Sequence, residues 1–256
     1  MGAPTLTITA LTGLPKVRPG DDLSALLIAA IEHSGLTPRR HDILVVTQKI
    51  VSKAEGRYLD LATLAPGSSA VELAAATGKD ARLVEAILSQ SAAVLRAAPG
   101  VIVAETRHGF VMADAGVDQS NLEEGDGGRR VLLLPEAPDR SAQAIKTRLD
   151  AHFRADVGVI VSDSAGRAWR LGTVGLAIGA AGVPALIDRR GERDLAGRAL
   201  EVTEVGFADA AAAAAVLVMG EAAEARPAAL VRGLEWTAAP RPAATLVRPK
   251  AQDLFR

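Results

Sequence analysis

Two stretches of this chain place oxygen donors where a strand should end, and the first of them adds cations. The first is Ser162-Asp163-Ser164-Ala165-Gly166-Arg167-Ala168-Trp169-Arg170, directly after the apolar run Val157 to Val161. A carboxylate in that position can hold Mg²⁺ or Mn²⁺, because the strand fixes its backbone and the neighbouring Ser hydroxyl adds an oxygen. Arg167 and Arg170 could grip a phosphate or carboxylate through paired, charge-assisted hydrogen bonds. The same segment reads equally well as a surface turn with solvated charges. The second stretch is Ala113-Asp114-Ala115-Gly116-Val117-Asp118-Gln119-Ser120-Asn121, where Gly116 permits a tight turn among carboxylates, a hydroxyl and an amide. Its spacing does not fit an EF-hand. On its own, an Asx-rich turn is the commoner outcome.

A third feature is basic. Lys49, Lys53 and Arg57 recur every four residues, which on a helix gives one face able to meet phosphates. The ordinary reading is a solvated face with Glu55 as counter-charge. Gly175, Gly179 and Gly182 read first as close-packing positions, with backbone amides near a ligand as the alternative. No G-x-x-x-x-G-K-[ST] and no G-x-G-x-x-G after a strand is present, so neither the P-loop nor the Rossmann signature applies. His33, His41, His108 and His152 lack metal-ligand spacing, and no G-x-S-x-G elbow exists. A hydrolase triad or zinc site is poorly supported.

These residues need elements to position them. Thr5 to Ala10 reads as a strand, and Asp21 or Asp22 can cap a helix through Leu23, Leu26, Leu27 and Ile31 that stops near Gly35. Ile43 to Val46 is a short apolar run of the kind found in buried strands. Helices are expected over Ser69 to Thr77 and Asp80 to Ala98, closed by Gly78 and Pro99-Gly100. Val101 to Glu105 and Phe110 to Ala113 should pair, and a polar, Gly-rich loop is expected at Glu123 to Arg130. Val131 to Leu134 reads as a strand, then a helix from Ser141 to Phe153, a strand at Val157 to Val161, a helix at Asp209 to Met219 and a strand at Ala228 to Val231. Strands and helices alternate without a strict repeat, so the expected class is mixed α/β or α+β.

Composition sets wider bounds. Of 256 residues, 49% are hydrophobic and only 3% aromatic, so the core must be built from Ala, Val, Leu and Ile. A net charge of −1 provides no general pull toward nucleic acid or an anionic membrane. With no Cys, disulfides, thiolate metal sites and a Cys nucleophile are excluded. The N-terminus lacks a signal-peptide pattern, and the apolar stretch Val174 to Ile187 is too short to span a bilayer, so a cytoplasmic location is expected. That stretch and Ala210 to Val218 are both apolar and small. Burying both within one chain is demanding at this size, so a two-fold interface is expected to cover part of them. The alternative is that both lie in one core.

Taken in order, several segments resemble the coenzyme F420-0 gamma-glutamyl ligase family. They are Gly13-Leu14-Pro15, Pro19-Gly20-Asp21-Asp22-Leu23, Asp42-Ile43-Leu44-Val45-Val46 and Val51-Ser52-Lys53-Ala54-Glu55-Gly56-Arg57. Ala115-Gly116-Val117-Asp118 ahead of Ser120-Asn121 follows, then Ser162-Asp163-Ser164, Gly166-Arg167, Trp169-Arg170, Val218-Met219-Gly220-Glu221 and Val231-Arg232-Gly233. The resemblance runs from about Leu11 to Leu234.

It implies a homodimer of two-lobed subunits, with residues 1–256 forming one ligase unit and no flavin-reductase-like domain at the C-terminal end. It implies a GTP-dependent ligase that adds L-glutamate to the deazaflavin precursor F420-0 through an acyl phosphate, releasing GDP and phosphate. Mg²⁺ or Mn²⁺ is the implied metal, with K⁺ a further cation. By motif position, Asp118 and Asp163 would hold one metal, and Ser164 and Glu221 would serve a second. Leu14, Pro15, Lys16, Val17, Gln48, Lys49, Lys53, Asn121, Met219 and Gly220 would line the GTP. Lys53 and Arg167 would hold phosphates or the acyl phosphate. Trp169 and the loop Glu123 to Arg130 are candidates to touch the acceptor. The chain departs from the family at Asp114, which could alter charge near the metal, and at Asp209-Ala210, expected to touch only helix packing or groups just behind the site. Two other readings are a ligase of the same fold acting on another carboxylate, such as a pterin- or folate-like acceptor, and a non-catalytic nucleotide-binding paralogue. Retention of both Asp118 and Asp163 speaks against the second.

Overall fold

A computed structural model describes residues 3–120 and 129–254. In chain order the strands and helices are β1 (Thr7–Ala10), α1 (Leu23–His33), β2 (Ile43–Thr47), α2 (Gln48–Ala54), β3 (Tyr58–Asp60), α3 (Ser68–Thr77), α4 (Ala81–Gln90), β4 (Ser91–Ala98), β5 (Val101–Thr106) and β6 (Val111–Ala113). They continue with β7 (Arg130–Leu132), α5 (Pro138–Phe153), β8 (Gly158–Arg167), β9 (Arg170–Ala181), β10 (Ile187–Asp188), β11 (Glu204–Val205), α6 (Phe207–Met219) and β12 (Ala228–Arg232). The fold is mixed α/β.

Its main sheet has the order β1-β12-β2-β8-β9. β2 and β8 run parallel and the other neighbours antiparallel. Residues of β2 are buried on both sides, because alternate side chains enter two different cores. Leu44 and Val46 join α1 and α5 through Leu27, Ile31, Ile145 and Leu149. Ile43 and Val45 join α6 through Ala208, Ala212 and Ala215. The four-residue apolar run is therefore a two-faced strand, as its lack of alternation implies. Beside this sheet stand α3 and α4 with β4-β5-β6, around Val84, Ile87 and Ile102, and the pair β3-β7. Among the described residues no helix is long and apolar enough to cross a membrane.

The expected helix from Asp80 to Ala98 is half wrong. It ends at Gln90, and Ser91–Ala98 is a strand paired with β5. Alanine is the strongest helix former, but propensity is a weak prior, and pairing with β5 overrides it here. Pro99-Gly100 closes not a helix but the β4–β5 hairpin, with Gly100 at φ 82 in the third position of a type II turn, as Pro-Gly allows. α5 begins at Pro138 rather than at Ser141, with Pro in its first turn, where no amide is needed. Ser141 instead donates to Glu55.

The glycines of β9 pack as expected. A methyl group on Gly175 would meet the Ala212 carbonyl of α6, and one on Gly179 the Pro138 carbonyl of α5. Gly179→Ala is accordingly expected to cost about 1–3 kcal/mol, since backbone cannot step aside as a side chain can. Gly166→Ala, in open space, should be near neutral in the same urea denaturation experiment. The two apolar stretches expected to compete for burial bury one another: Ala177 and Ala180 of β9 share one cluster with Ala208, Ala211, Ala212 and Ala215 of α6. They supply no reason for a second copy.

Candidate functional site

The segment from Ser162 to Arg167 is not a turn after a strand. β8 runs straight through it, paired with β9 as Ser162↔Ala177, Asp163↔Leu176 and Ser164↔Gly175. Hydrogen bonding to an edge partner carries the polar residues in extended form beyond the apolar run. Val159, Val161 and Ala165 face the α1 and α5 core, so the period of two puts Asp163 on that face and Ser164 on the α6 face. Two adjacent residues thus serve two separate clusters.

On the first face, β2 leads directly into α2, and Thr47 lies beside Ser162 in the parallel register. This sets Gln48 and Lys49, the first residues of α2, against Asp163. Gln48 is 1% exposed. Its carbonyl accepts from the Ser52 hydroxyl at 2.9 Å, and its side chain also hydrogen-bonds Asp163. Asp118 reaches the same place from another element. Its backbone exchanges two hydrogen bonds with Leu132, at 2.9 and 2.8 Å, which tie the turn to β7. Its carboxylate pairs with the Lys49 ammonium at 2.5 Å and accepts from the Ser120 amide at 2.7 Å. Lys53 lies one helical turn beyond Lys49 on α2.

The electrostatics of this cluster are unequal. Burial pushes Asp163 up to about 6, and the like charge of Asp118 adds to the rise, against the opposing pull of Lys49, the Ser164 amide and Gln48. Burial also pushes Asp118 upward, but the Lys49 charge and hydrogen bond, with help from Ser120, outweigh it and leave the carboxyl lowered. Two carboxylates share one ammonium, and the buried one, Asp163, ionises reluctantly. A hard divalent cation would favour its charged form.

On the second face, the Ser164 hydroxyl donates to Glu221 at 2.5 Å. Glu221 follows α6, which ends at buried Met219 and Gly220, at φ 80. The two residues assigned to a second metal thus lie within hydrogen-bond distance of one another. Leu14 to Val17 form the connection between β1 and α1, with Val17 in the same core as Ile50 and Val51 of α2. The Gly20 amide donates to the Ala54 carbonyl at 2.9 Å, which holds this connection at the far end of α2. Arg167 lies at the tip of the β8–β9 hairpin, where it donates to the Leu171 carbonyl at 3.1 Å and its buried Nε has no hydrogen-bond partner among the described residues. Trp169, at the same tip, is 80% exposed. Asn121 and most of the loop Glu123 to Arg130 lie outside the described residues.

Some expectations need correcting. Asp114 does not join the carboxylate pair: it bonds Lys79 at 2.8 Å and accepts from the Ile102 amide, staying within the β4–β6 layer. Arg57 does not continue the basic face, because α2 ends at Ala54 and the Arg57 guanidinium donates to the Leu134 carbonyl. Glu55 is not its counter-charge but accepts from the Glu136 amide and Ser141 at the start of α5. Sequence reasoning missed Ser52 and Ser120 as supports for Gln48 and Asp118. Asp118-Gln119-Ser120 carried the signal, since an Asp accepting from the amide two residues on is an Asx-turn. Among the described residues no three His, Cys, Asp or Glu side chains come together as a metal cage. Magnesium commonly uses only one or two carboxylates with substrate phosphates, which is the kind of donor set Asp118 and Asp163 offer.

Comparison with known proteins gives a consistent picture. Residues 13–233 match the family model described as F420-0:Gamma-glutamyl ligase. The chain is 46% identical over 259 residues to the coenzyme F420:L-glutamate ligase of Methanopyrus kandleri, covering 100% of this chain and 99% of that protein. It is 44% identical over 253 residues to the coenzyme F420:L-glutamate ligase of Methanothermobacter thermautotrophicus, covering 98% and 99%. With the enzyme of that name from Methanocaldococcus jannaschii it shares 43% over 215 residues, 84% of each chain.

Proposed function

This chain belongs to the F420-0:gamma-glutamyl ligase family, and on that premise we propose how its residues divide the work of a GTP-dependent ligase that joins L-glutamate to F420-0. The observation that carries the reading is the convergence of Asp118, Asp163, Lys49 and Gln48 at the junction of β2, α2 and β8. An acceptor carboxylate is inert toward amines until it gains a leaving group. Attack of its oxygen on the terminal phosphorus of GTP breaks the bond to GDP and leaves an acyl phosphate. The glutamate amine then attacks the acyl carbon, and phosphate departs as the amide forms.

Asp118 and Asp163 would hold a divalent ion, Mg²⁺ or Mn²⁺, and Ser164 with Glu221 a second, on the opposite face of β8. Such ions, when bound, neutralise phosphate charge and polarise phosphoryl oxygens. Lys49 and Lys53 present two cations one turn apart on α2, along which the phosphates would lie. By motif position, the connection Leu14 to Val17 and the segment from Met219 to Gly220 would complete the nucleotide's surroundings. Arg167, with a buried Nε that has no hydrogen-bond partner among the described residues, is suited to the acyl phosphate. Little general-base power is needed once the amine is deprotonated, so no histidine is required.

The direct test is turnover with GTP, Mn²⁺ or Mg²⁺, L-glutamate and F420-0, read by product mass. Absence of a glutamyl product would refute the reading. Lys53→Ala should weaken GTP by about 1–3 kcal/mol, the cost of one charged hydrogen bond, read as a rise in the KM for GTP. Equal use of ATP would overturn the choice of base and leave the ligase chemistry standing.

The functional unit is proposed to be a homodimer of two-lobed subunits. Exposed apolar side chains support it: Leu171 is 98% exposed at the hairpin tip near Trp169, and contiguous exposed apolar surface commonly marks an interface. Light scattering at micromolar concentration should give about twice the 26.4 kDa chain mass. A mass near that of one chain would refute the dimer.

A further inference from the structure

We propose that the cavity beside the outer edge of β9 seats the flat heteroaromatic ring of the carboxylate acceptor. The inference rests on the ligase reading and adds to it the place where the acceptor is recognised. The cavity, of about 240 Å³, is walled by Phe110 and Met112 from the β5–β6 hairpin and by Leu176 and Ile178 from β9, with Asp209 and Arg248 as its charged groups. Leu176 is the cross-strand partner of Asp163, so the cavity begins about one strand spacing, ~4.8 Å, beyond the carboxylate cluster. An acceptor held there by its ring would have its tail directed along a short path to the phosphates.

The polar groups select the ligand. Asp209, in the first turn of α6, accepts the Ala177 amide on Oδ1 at 2.9 Å. Its Oδ2 has no hydrogen-bond partner among the described residues, and neither does Arg248. An open carboxylate oxygen beside apolar walls can accept an N–H donor, and an exposed arginine lining the same space can donate to an oxygen-rich or anionic edge. The ring of a deazaflavin offers both, with its imide N–H for Asp209, ring oxygens for Arg248 and apolar faces for Phe110, Met112, Leu176 and Ile178. Burial holds the Asp209 carboxyl above the usual range, which agrees with a group lacking its partner. A free glutamate could use the Asp209–Arg248 pair too, but its second carboxylate would then lie unpaired against apolar side chains. The cavity is also smaller than the ~300–1,000 Å³ usual for a whole ligand, which suits a ring rather than the full acceptor.

The test is binding of F420-0 without GTP, read by the deazaflavin's own fluorescence, alongside steady-state kinetics. Met112→Trp, which fills the cavity, should weaken F420-0 about tenfold or more through overpacking. Asp209→Asn keeps an acceptor for the Ala177 amide and should weaken it about fivefold to tenfold, as loss of a charged hydrogen bond implies. Arg248→Ala, on an exposed residue, guards against misfolding and should weaken it about threefold. In all three the KM values for GTP and glutamate should stay unchanged. Wild-type binding in all three variants would overturn the site, as would a rise in the KM for glutamate instead. Wild-type protein that neither binds F420-0 nor turns it over would overturn the ligase reading and this site with it.

Discussion

Asp163→Asn is expected to lower turnover by about 10³-fold or more while leaving the protein folded. The substitution keeps the shape of the side chain in β8 and removes only its charge. Asp118 and Lys49 then remain as a neutral pair, and a divalent ion would gain too little from that pair to offset its own desolvation. Metal-assisted charge neutralisation is worth several kcal/mol, and each 1.36 kcal/mol is about tenfold in rate. Asp118→Asn should rank with it, because it removes the other carboxylate and the ion pair it makes with Lys49.

Stability should move the opposite way for Asp163. Its carboxyl is raised from 3.8 to about 6 in the folded protein, chiefly by burial. The folded state therefore holds that proton more tightly than the unfolded chain does, and stability is lost as pH rises from about 4 through about 6. A neutral Asn escapes this loss, so the melting temperature of Asp163→Asn at pH 7.5 should equal or exceed that of the wild type. Kinetics with GTP and Mn²⁺, paired with thermal melts, read both effects. Near-normal activity at modest metal concentration would sink the shared-site assignment.

Asp42→Ala should damage the fold strongly outside the site, costing about 3 kcal/mol. Asp42 is 2% exposed at the start of β2. Arg232, at the end of β12, reaches it with Nε at 2.9 Å and a second guanidinium nitrogen at 2.6 Å. The Asp42 carboxylate also accepts from the Arg39 amide at 2.8 Å, and Arg232 donates to the Thr37 carbonyl. Removing one partner of a buried pair typically costs about 3–5 kcal/mol, because the other charge is stranded. The lower end applies here, since the Arg232 side chain keeps 31% exposure and water can reach it. Urea denaturation should show a lower midpoint at unchanged slope. A loss under about 1 kcal/mol would mean that Arg232 simply turns to solvent.

Much of this arrangement is legible in the sequence alone. Asp22 caps α1 as expected, because an Asp side chain accepting an amide three residues on needs only local geometry. The unalternating run Ile43 to Val46 marks a strand buried on both faces, and the glycines of β9 mark close backbone approach. Lys49 and Lys53 share one side of α2 because a helical period is set by the backbone alone. The family resemblance, carried by motifs in a fixed order, points to Asp118 and Asp163, which the structure brings together around Lys49.

Other features have no local signal. Ser91 to Ala98 is a strand because β5 lies alongside to accept its hydrogen bonds, and a sequence window contains no record of its partner. For the same reason Ser162 to Arg167 reads as a turn, although pairing with β9 keeps it extended. That pairing sends Asp163 toward α2 and Ser164 toward Glu221. Asp118 arrives beside Asp163 from more than forty residues away, held by its bridge to Leu132, and Asp209 meets the edge of β9 only after α6 has packed on it. The chain by itself determined which residues carry charge, which turns can form and which runs must be buried. The tertiary structure alone decided which of those charges share a face, because strand register and helix packing depend on contacts between residues remote in sequence, whose energies no local stretch contains.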